Sequence, residues 1–233
     1  VLKLVDGLSF EVAGFAWNVP PLRLDEGQWI ALQPDRPEPE VDPTTRLSRI
    51  LVTLTPPLMG TVEILGKDVY RMDYLPLQRL RPSIGFVHGY GGLLSNRTVR
   101  ENIALPLSIH GGLSAMQEDE AIERTLEDFR LSRVAHLQPH EMDGATRWRV
   151  CLARALVLEP KLVVLEGIGN WEMDRGRGRG WSVLMERHLE GRHAIAVCMA
   201  RQHPEFEDWI VRHKGEIVRY TKFSDSIVPT RSE

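Results

Sequence analysis

Residues 142–156 read MDGATRWRVCLARAL and lead, after a short turn, into the apolar run LVVLEG at 162–167. No other stretch restricts the fold as tightly. Asp143 is a preferred N-cap residue, so a helix over 144–157 is expected behind it. The run that follows is apolar on consecutive residues and reads as a buried strand, 162–166, with Glu166 at its end. Helix feeding buried strand is the working unit of a parallel α/β sheet.

The rest of the chain repeats that alternation. Residues 1–32 carry short apolar and polar bursts punctuated by Gly14, Pro20-Pro21 and Gly27, which predicts an antiparallel strand layer ending in a core strand, WIAL at 29–32. The loop 33–43, QPDRPEPEVDP, holds four prolines and four acids. Helical spacing returns at 44–54, followed by a strand pair at 60–69 and an apolar strand at 83–88. Helices are expected at 98–111 and 115–129, the second capped by Ser114. A helix near 181–189, a strand at 193–198 and a hairpin of DWIVRH and GEIVRY about Lys214-Gly215 complete the pattern.

Composition narrows the function classes. A formal net charge of −3 supplies no global field to draw nucleic acid or an anionic membrane. No apolar run approaches the roughly 20 residues that span a bilayer. No secretory leader pattern is seen, and Val1 in place of Met is expected of numbering that starts inside a longer or processed chain. Cys151 and Cys198 fall in a helix and an apolar strand, as buried thiols of a reducing compartment do.

Six segments, in order, resemble the nucleotide-binding domain of the ATP-binding-cassette (ABC) ATPases: WIAL (29–32), LMGTVEILGKDV (58–69), SIGFVHGYGGLLSNRTVRENIALPL (83–107), PHEMDGATRWRVCLARALVLEP (139–160), KLVVLEG (161–167) and DWIVRHKGEIV (208–218). ENIALPL is similar to the lipid-trafficking and lipoprotein-releasing branch. The resemblance implies a P-loop NTPase-like α/β fold with a parallel-sheet core, an N-terminal antiparallel β layer and an inserted helical lobe. The ATPase-like core takes 1–89 and 151–233, and the helical lobe 90–150.

Position by position, the resemblance places substitutions at the chemistry. Thr44 falls at the phosphate-loop Lys and Pro43 at the preceding Gly, while Thr45 can still fill the Mg²⁺ Ser/Thr position. The loop before them has no glycine, and Asp35, Glu38, Glu40 and Asp42 repel a triphosphate. Asp42 is expected to cap the following helix. The Q-loop Gln position falls at Gly89, just after His88. The signature motif becomes 142–146, with Asp143 at its Ser and Gly144 next to it. Glu166 stands at the Walker B Asp, Gly167 at the catalytic Glu, Asp174 at the D-loop Asp and Met199 at the switch His.

The resemblance with these losses implies a non-catalytic subunit of a membrane transport assembly: nucleotide chemistry lost, no enzyme, no cofactor and no metal. The partners it implies are a transmembrane permease and a second ABC domain, either itself or an active paralogue. The place implied is cytoplasmic, peripheral on the inner face of the membrane. The permease-docking groove is assigned to Leu93, Leu94, Asn96, Val99 and Ile103. An alternative keeps weak binding or hydrolysis of ATP with Mg²⁺ to control dimerisation. A second alternative, nucleic-acid binding through RGRGRG (175–180), ranks below a solvated loop given the net charge. His136 and His140 have helical metal spacing, but Pro139 lies between them and a third ligand is missing. Trp148 is either a partner surface or half-buried.

Overall fold

The computed structural model describes residues 1–36, 41–89, 91–110, 112–167, 180–189, 191, 193–199 and 204–222, with backbone alone at 180–184, 204 and 205. In chain order the strands are β1 (Leu2–Val12), β2 (Phe15–Val19), β3 (Leu22–Leu24), β4 (Trp29–Pro34), β5 (Met59–Ile64), β6 (Lys67–Asp68), β7 (Ile84–Val87), β8 (Leu162–Glu166), β9 (Ala194–Cys198) and β10 (Glu216–Lys222). The α-helices are α1 (Thr44–Leu51), α2 (Tyr74–Leu80), α3 (Val99–His110), α4 (Ala115–Asp128), α5 (Gly144–Leu156), α6 (Gly180–Leu189) and α7 (Pro204–Arg212).

Among the described residues the strands form one sheet, ordered β6-β5-β1-β2-β10-β4-β9-β8-β7, with β3 beside β1. The β10-β4-β9-β8-β7 part is parallel and the rest antiparallel. The fold is thus the expected α/β arrangement: a parallel core, an N-terminal antiparallel layer and helical insertions. In β4, β8 and β9 every residue is buried, the pattern of strands covered on both faces. Strand β10 is the seam. Glu216–Tyr220 runs parallel to Ile30–Pro34, and Thr221 and Lys222 pair antiparallel with Asn18 and Trp17.

The period of two along β8 divides the core and aims the site. Val163 and Leu165 join the cluster formed with α3, α4, α5 and α7. Leu162 and Val164 join the cluster formed with α1 and the β layer. Glu166 follows them on the α1 side, where Thr45 and Ser48 meet it.

Several elements correct the sequence reading. DWIVR (208–212) is the end of helix α7, and His213 follows it, so this segment is not a strand paired with β10. Phe206, Trp209 and Ile210 are buried at helical spacing, and Trp209 meets Trp29 edge-on at 4.7 Å between ring centroids. Lys214, at φ 57°, closes the helix: its N–H bonds Val211 O at 3.1 Å, and the Gly215 N–H bonds Ile210 O at 2.9 Å. Helix α2 was not foreseen. Helix α4 does start at Ser114, whose Oγ and backbone N–H exchange bonds with Gln117. Trp148 is packed into the core at 9% exposure. No helix of the described residues is long and apolar enough to cross a membrane.

Candidate functional site

Parallel strands β4, β8 and β9 end together, and α1 begins beyond the loop that leaves β4. Open α/β sheets bind ligands at this carboxyl edge. Glu166, 2% exposed, ends β8. Thr45 Oγ1 donates to its Oε1 at 2.9 Å, and Ser48 Oγ donates to its Oε2 at 2.6 Å. The two hydroxyls lie three residues apart on α1, so one helix face delivers both.

The N-terminus of α1 carries the acid expected to cap it. Pro43 is its formal N-cap and is already helical at φ −74°, ψ −13°. The Thr44 N–H donates to Asp42 Oδ1 at 2.8 Å. A carboxylate therefore holds a backbone donor that points out of the helix start. Among the described residues, the buried side-chain amide of Gln33, Thr44 Oγ1 and Tyr220 OH have no hydrogen-bond partner. The last two are close enough to interact but lack hydrogen-bond geometry. Burial chiefly pushes the Tyr220 hydroxyl well above the usual tyrosine range, with Cys198 adding to it. Burial, then Glu166 and Asp42, push the Cys198 thiol up.

Next to Glu166 stands a residue whose role the sequence reading overlooked. His88 Nε2 lies 3.9 Å from Glu166 Oε1. Gly89 leaves room beside it, since a Cβ there would come 3.2 Å from the same oxygen. The chain then turns through Gly91 (φ 84°) and Gly92 (φ 60°), which α5 grips. Arg154 Nη1 donates to Gly92 O at 2.8 Å and Nη2 to Gly91 O at 3.2 Å, while Cys151 Sγ contacts Gly91 O at 3.2 Å. Burial pushes the Cys151 thiol up to about 11, so it is a packing thiol rather than a nucleophile.

The structure thus gathers Thr45, Ser48, Glu166, His88 and Gly89 into one cluster, while Thr44 precedes Thr45 on α1 with its N–H on Asp42. Gly167 (φ 62°) follows Glu166, and its N–H bonds Cys198 O at 2.8 Å. Met199 is buried at 1%, its N–H bonded to Leu32 O. Asp143 and Gly144 stand elsewhere, at the start of α5. There Asp143 Oδ1 accepts the Thr146 N–H at 2.6 Å, and that bond, more than nearby Arg149 and Arg147, holds the carboxyl below the usual carboxylate range. Asp174 and RGRGRG lie outside the described residues, as do Glu38 and Glu40. Of the docking-groove residues, Leu94 is 41% exposed and Asn96 is exposed, and Leu93 is half-buried. Val99 and Ile103 are 0% exposed, so they brace this surface from beneath and cannot form its walls.

Residues 44–166, more than half of the chain, match the family model described as ABC transporter. The chain belongs to the ABC transporter family. Methionine import ATP-binding protein MetN 1 of Pseudomonas syringae pv. syringae (strain B728a) is 33% identical over 120 residues, 52% of this chain and 36% of the relative. MetN 2 of Pseudomonas aeruginosa PAO1 is also 33% identical over 120 residues. The chain thus spans about a third of the length of these curated relatives. Among solved structures, the dimeric bacterial ABC transporter cassette MJ0796 has a TM-score of 0.70 at 20% identity, covering 97% of this chain and all of that one. CbiO1 of Clostridium perfringens, part of the ABC transporter complex CbiONQ, has a TM-score of 0.65 at 17% identity, covering 85% of this chain and 78% of that one. At these identities the two structures establish the shared fold.

These relatives correct the functional expectations. They carry the name of ATP-binding proteins, which overturns the expectation of an ABC subunit with nucleotide chemistry lost, no enzymatic role and no cofactor. The physical reason is that the substitutions spare the hydroxyls of Thr45 and Ser48 and leave a carboxylate at Glu166. The structure keeps the oxygen-rich half of the site as a built cluster around Glu166. The named relatives are also methionine-import proteins rather than lipid-trafficking ATPases.

Proposed function

We propose that this chain is the nucleotide-binding subunit of an ABC transporter, binding ATP with Mg²⁺ and using it to control pairing with a second ABC domain. The Thr45–Glu166 pair carries the reading: a hydroxyl and a buried carboxylate, 2.9 Å apart, where α1 meets the carboxyl edge of the sheet. Hard oxygen donors of this kind suit Mg²⁺, which takes one or two protein oxygens and fills its remaining positions with water and phosphate. When bound, the metal neutralises phosphate charge and polarises the terminal phosphoryl group toward water. Thr45 and Glu166 hold it, and Ser48 fixes the second carboxylate oxygen.

The absence of a phosphate-loop Lys at Thr44 argues for weak binding and slow hydrolysis. The other site positions take matching roles: Asp143 and Gly144 face nucleotide held by the second domain, and residues 90–150 form the helical lobe. A permease docks at Leu93, Leu94 and Asn96, with Val99 and Ile103 bracing the surface below. That places the subunit on the cytoplasmic face of a membrane. The relatives named for methionine import favour a small solute as cargo.

Calorimetric titration with ATP, with and without Mg²⁺, tests the reading. Wild-type protein is expected to release heat only when both are present, and Glu166→Gln to lose the magnesium dependence. Silence of the wild type at millimolar nucleotide sinks the proposal.

A further inference from the structure

The imidazole that the family resemblance places at the end of β9 is missing, since Met199 stands there, buried. A different imidazole stands on the other side of Glu166. In the sheet, β8 lies between β9 and β7. The register pairs Glu166 with Cys198 on one flank and Leu165 with Val87 on the other. The residue after Val87 therefore comes level with Glu166, and that residue is His88.

Its geometry is that of a held side chain. Nε2 is 3.9 Å from Glu166 Oε1, the oxygen that accepts the Thr45 hydroxyl. The ring meets Phe86 edge-on at 6.0 Å between centroids, and a Cβ on Gly92 would touch His88 Cβ at 3.4 Å. Phe86 thus packs against one side of the imidazole. At 29% side-chain exposure it also keeps an open face. Gly89 adds no atom that would block the path from the ring to the cluster.

We propose that His88 is the imidazole of this nucleotide site, contacting the terminal phosphate of bound ATP from the β7 flank instead of the β9 flank. The inference rests on the ATP reading above and specifies which residue senses the third phosphate. Phosphate held beside the Thr45–Glu166 pair lies within reach of a side chain already in contact with Glu166. An imidazole N–H is a donor suited to an anionic oxygen, which the Met199 thioether is not. Glutamine carries its Nε2 at a similar reach, so His88→Gln conserves the contact and His88→Ala removes it.

The test compares two magnesium-bound nucleotides, AMP-PNP with three phosphates and ADP with two, by calorimetry on wild type, H88A and H88Q. H88A is expected to weaken AMP-PNP by about ten- to a hundredfold, the worth of a hydrogen bond to a charged group, and to leave ADP unchanged. H88Q is expected to recover most of the AMP-PNP affinity. Equal weakening of both nucleotides by H88A, or a loss in H88Q as large as in H88A, overturns the assignment while leaving the ATP reading intact. A wild type that binds neither nucleotide overturns both. Should H88A fold poorly, His88→Asn carries the same comparison, because its shorter side chain stays polar but does not reach.

Discussion

Replacing Asp42 separates two effects that one carboxylate combines. Its Oδ1 accepts the Thr44 N–H at 2.8 Å, so it caps α1, and in the proposed ATP site its charge stands where a phosphate would approach. A bound triphosphate has to displace it, forfeiting a cap worth about 1 kcal/mol. The displaced carboxylate, exposed to solvent, then repels the phosphates by about 1 kcal/mol at 4 Å in water and more where water is excluded. Asp42→Asn keeps a competent cap and removes the charge. It is expected to bind MgATP about fivefold more tightly. Its stability should drop only by the lost charge–dipole attraction, about 0.3–1 kcal/mol. Asp42→Ala removes both, so affinity rises about thirtyfold in total while the helix loses its cap, about 1 kcal/mol of stability. Calorimetry gives the affinities and urea unfolding the stabilities. The two scales should run in opposite directions across the series. Variants that bind no more tightly than wild type would refute the competition.

Three further changes follow from the geometry. Asp143→Ala removes the α5 cap and should cost about 1 kcal/mol at pH 7; because folding lowers the Asp143 pKa, its contribution is complete above the usual carboxylate range and fades as pH falls through the folded value. Urea curves of variant and wild type should therefore draw together as pH falls below the usual carboxylate range, and a gap that stays constant with falling pH argues against the cap. Gly215→Ala drives a Cβ to 2.7 Å from Ile210 Cγ2 and 2.9 Å from Trp29 Cβ. It should destabilise by about 1–3 kcal/mol, read as a fall in thermal midpoint; an unchanged midpoint would show that α7 yields freely. Arg154→Ala releases the carbonyls of Gly91 and Gly92; amide exchange across 91–97 should accelerate, while an unaltered rate would mean that Cys151 and the backbone suffice.

The parallel core was plain in the sequence because LVVL (162–165) and AIAVC (194–198) are apolar without a break, as fully covered strands are. The signature helix was legible from Asp143, a residue whose side chain prefers to cap. Helix α7 was misread because Trp209, Ile210 and Val211 are consecutive apolar residues. The deciding partner was Phe206, a turn earlier, and Val211 is in fact 61% exposed. Helix α2 buries only Leu80, so no periodicity announced it. At the site, Thr45 and Glu166 were named from family positions, yet their contact spans 121 residues and no local pattern encodes it. His88 carries no local signal of its own, since the family position falls next to it at Gly89 and its nearness to Glu166 depends on the register of β7 with β8. The alternation of β7 and its pairing with β8 bring the neighbouring side chain to Glu166. Val99 and Ile103 show the reverse error, since apolar spacing marks a packed face without saying whether that face meets the protein's own core or a partner.

Strand β10 has a consequence for how the molecule is made. Its two neighbours, β2 and β4, lie about two hundred residues earlier in the chain. A growing polypeptide exposes both of those edges for most of its synthesis, each with a row of unpaired amides. The antiparallel layer can collapse in that interval, but β4 waits for β9 (Ala194–Cys198), and the two parts cannot be zipped into one sheet until β10 slides between them. Joining is thus a late, long-range event of the slow kind. Early release of the chain would leave two half-built sheets with open edges, suited to pairing with other molecules.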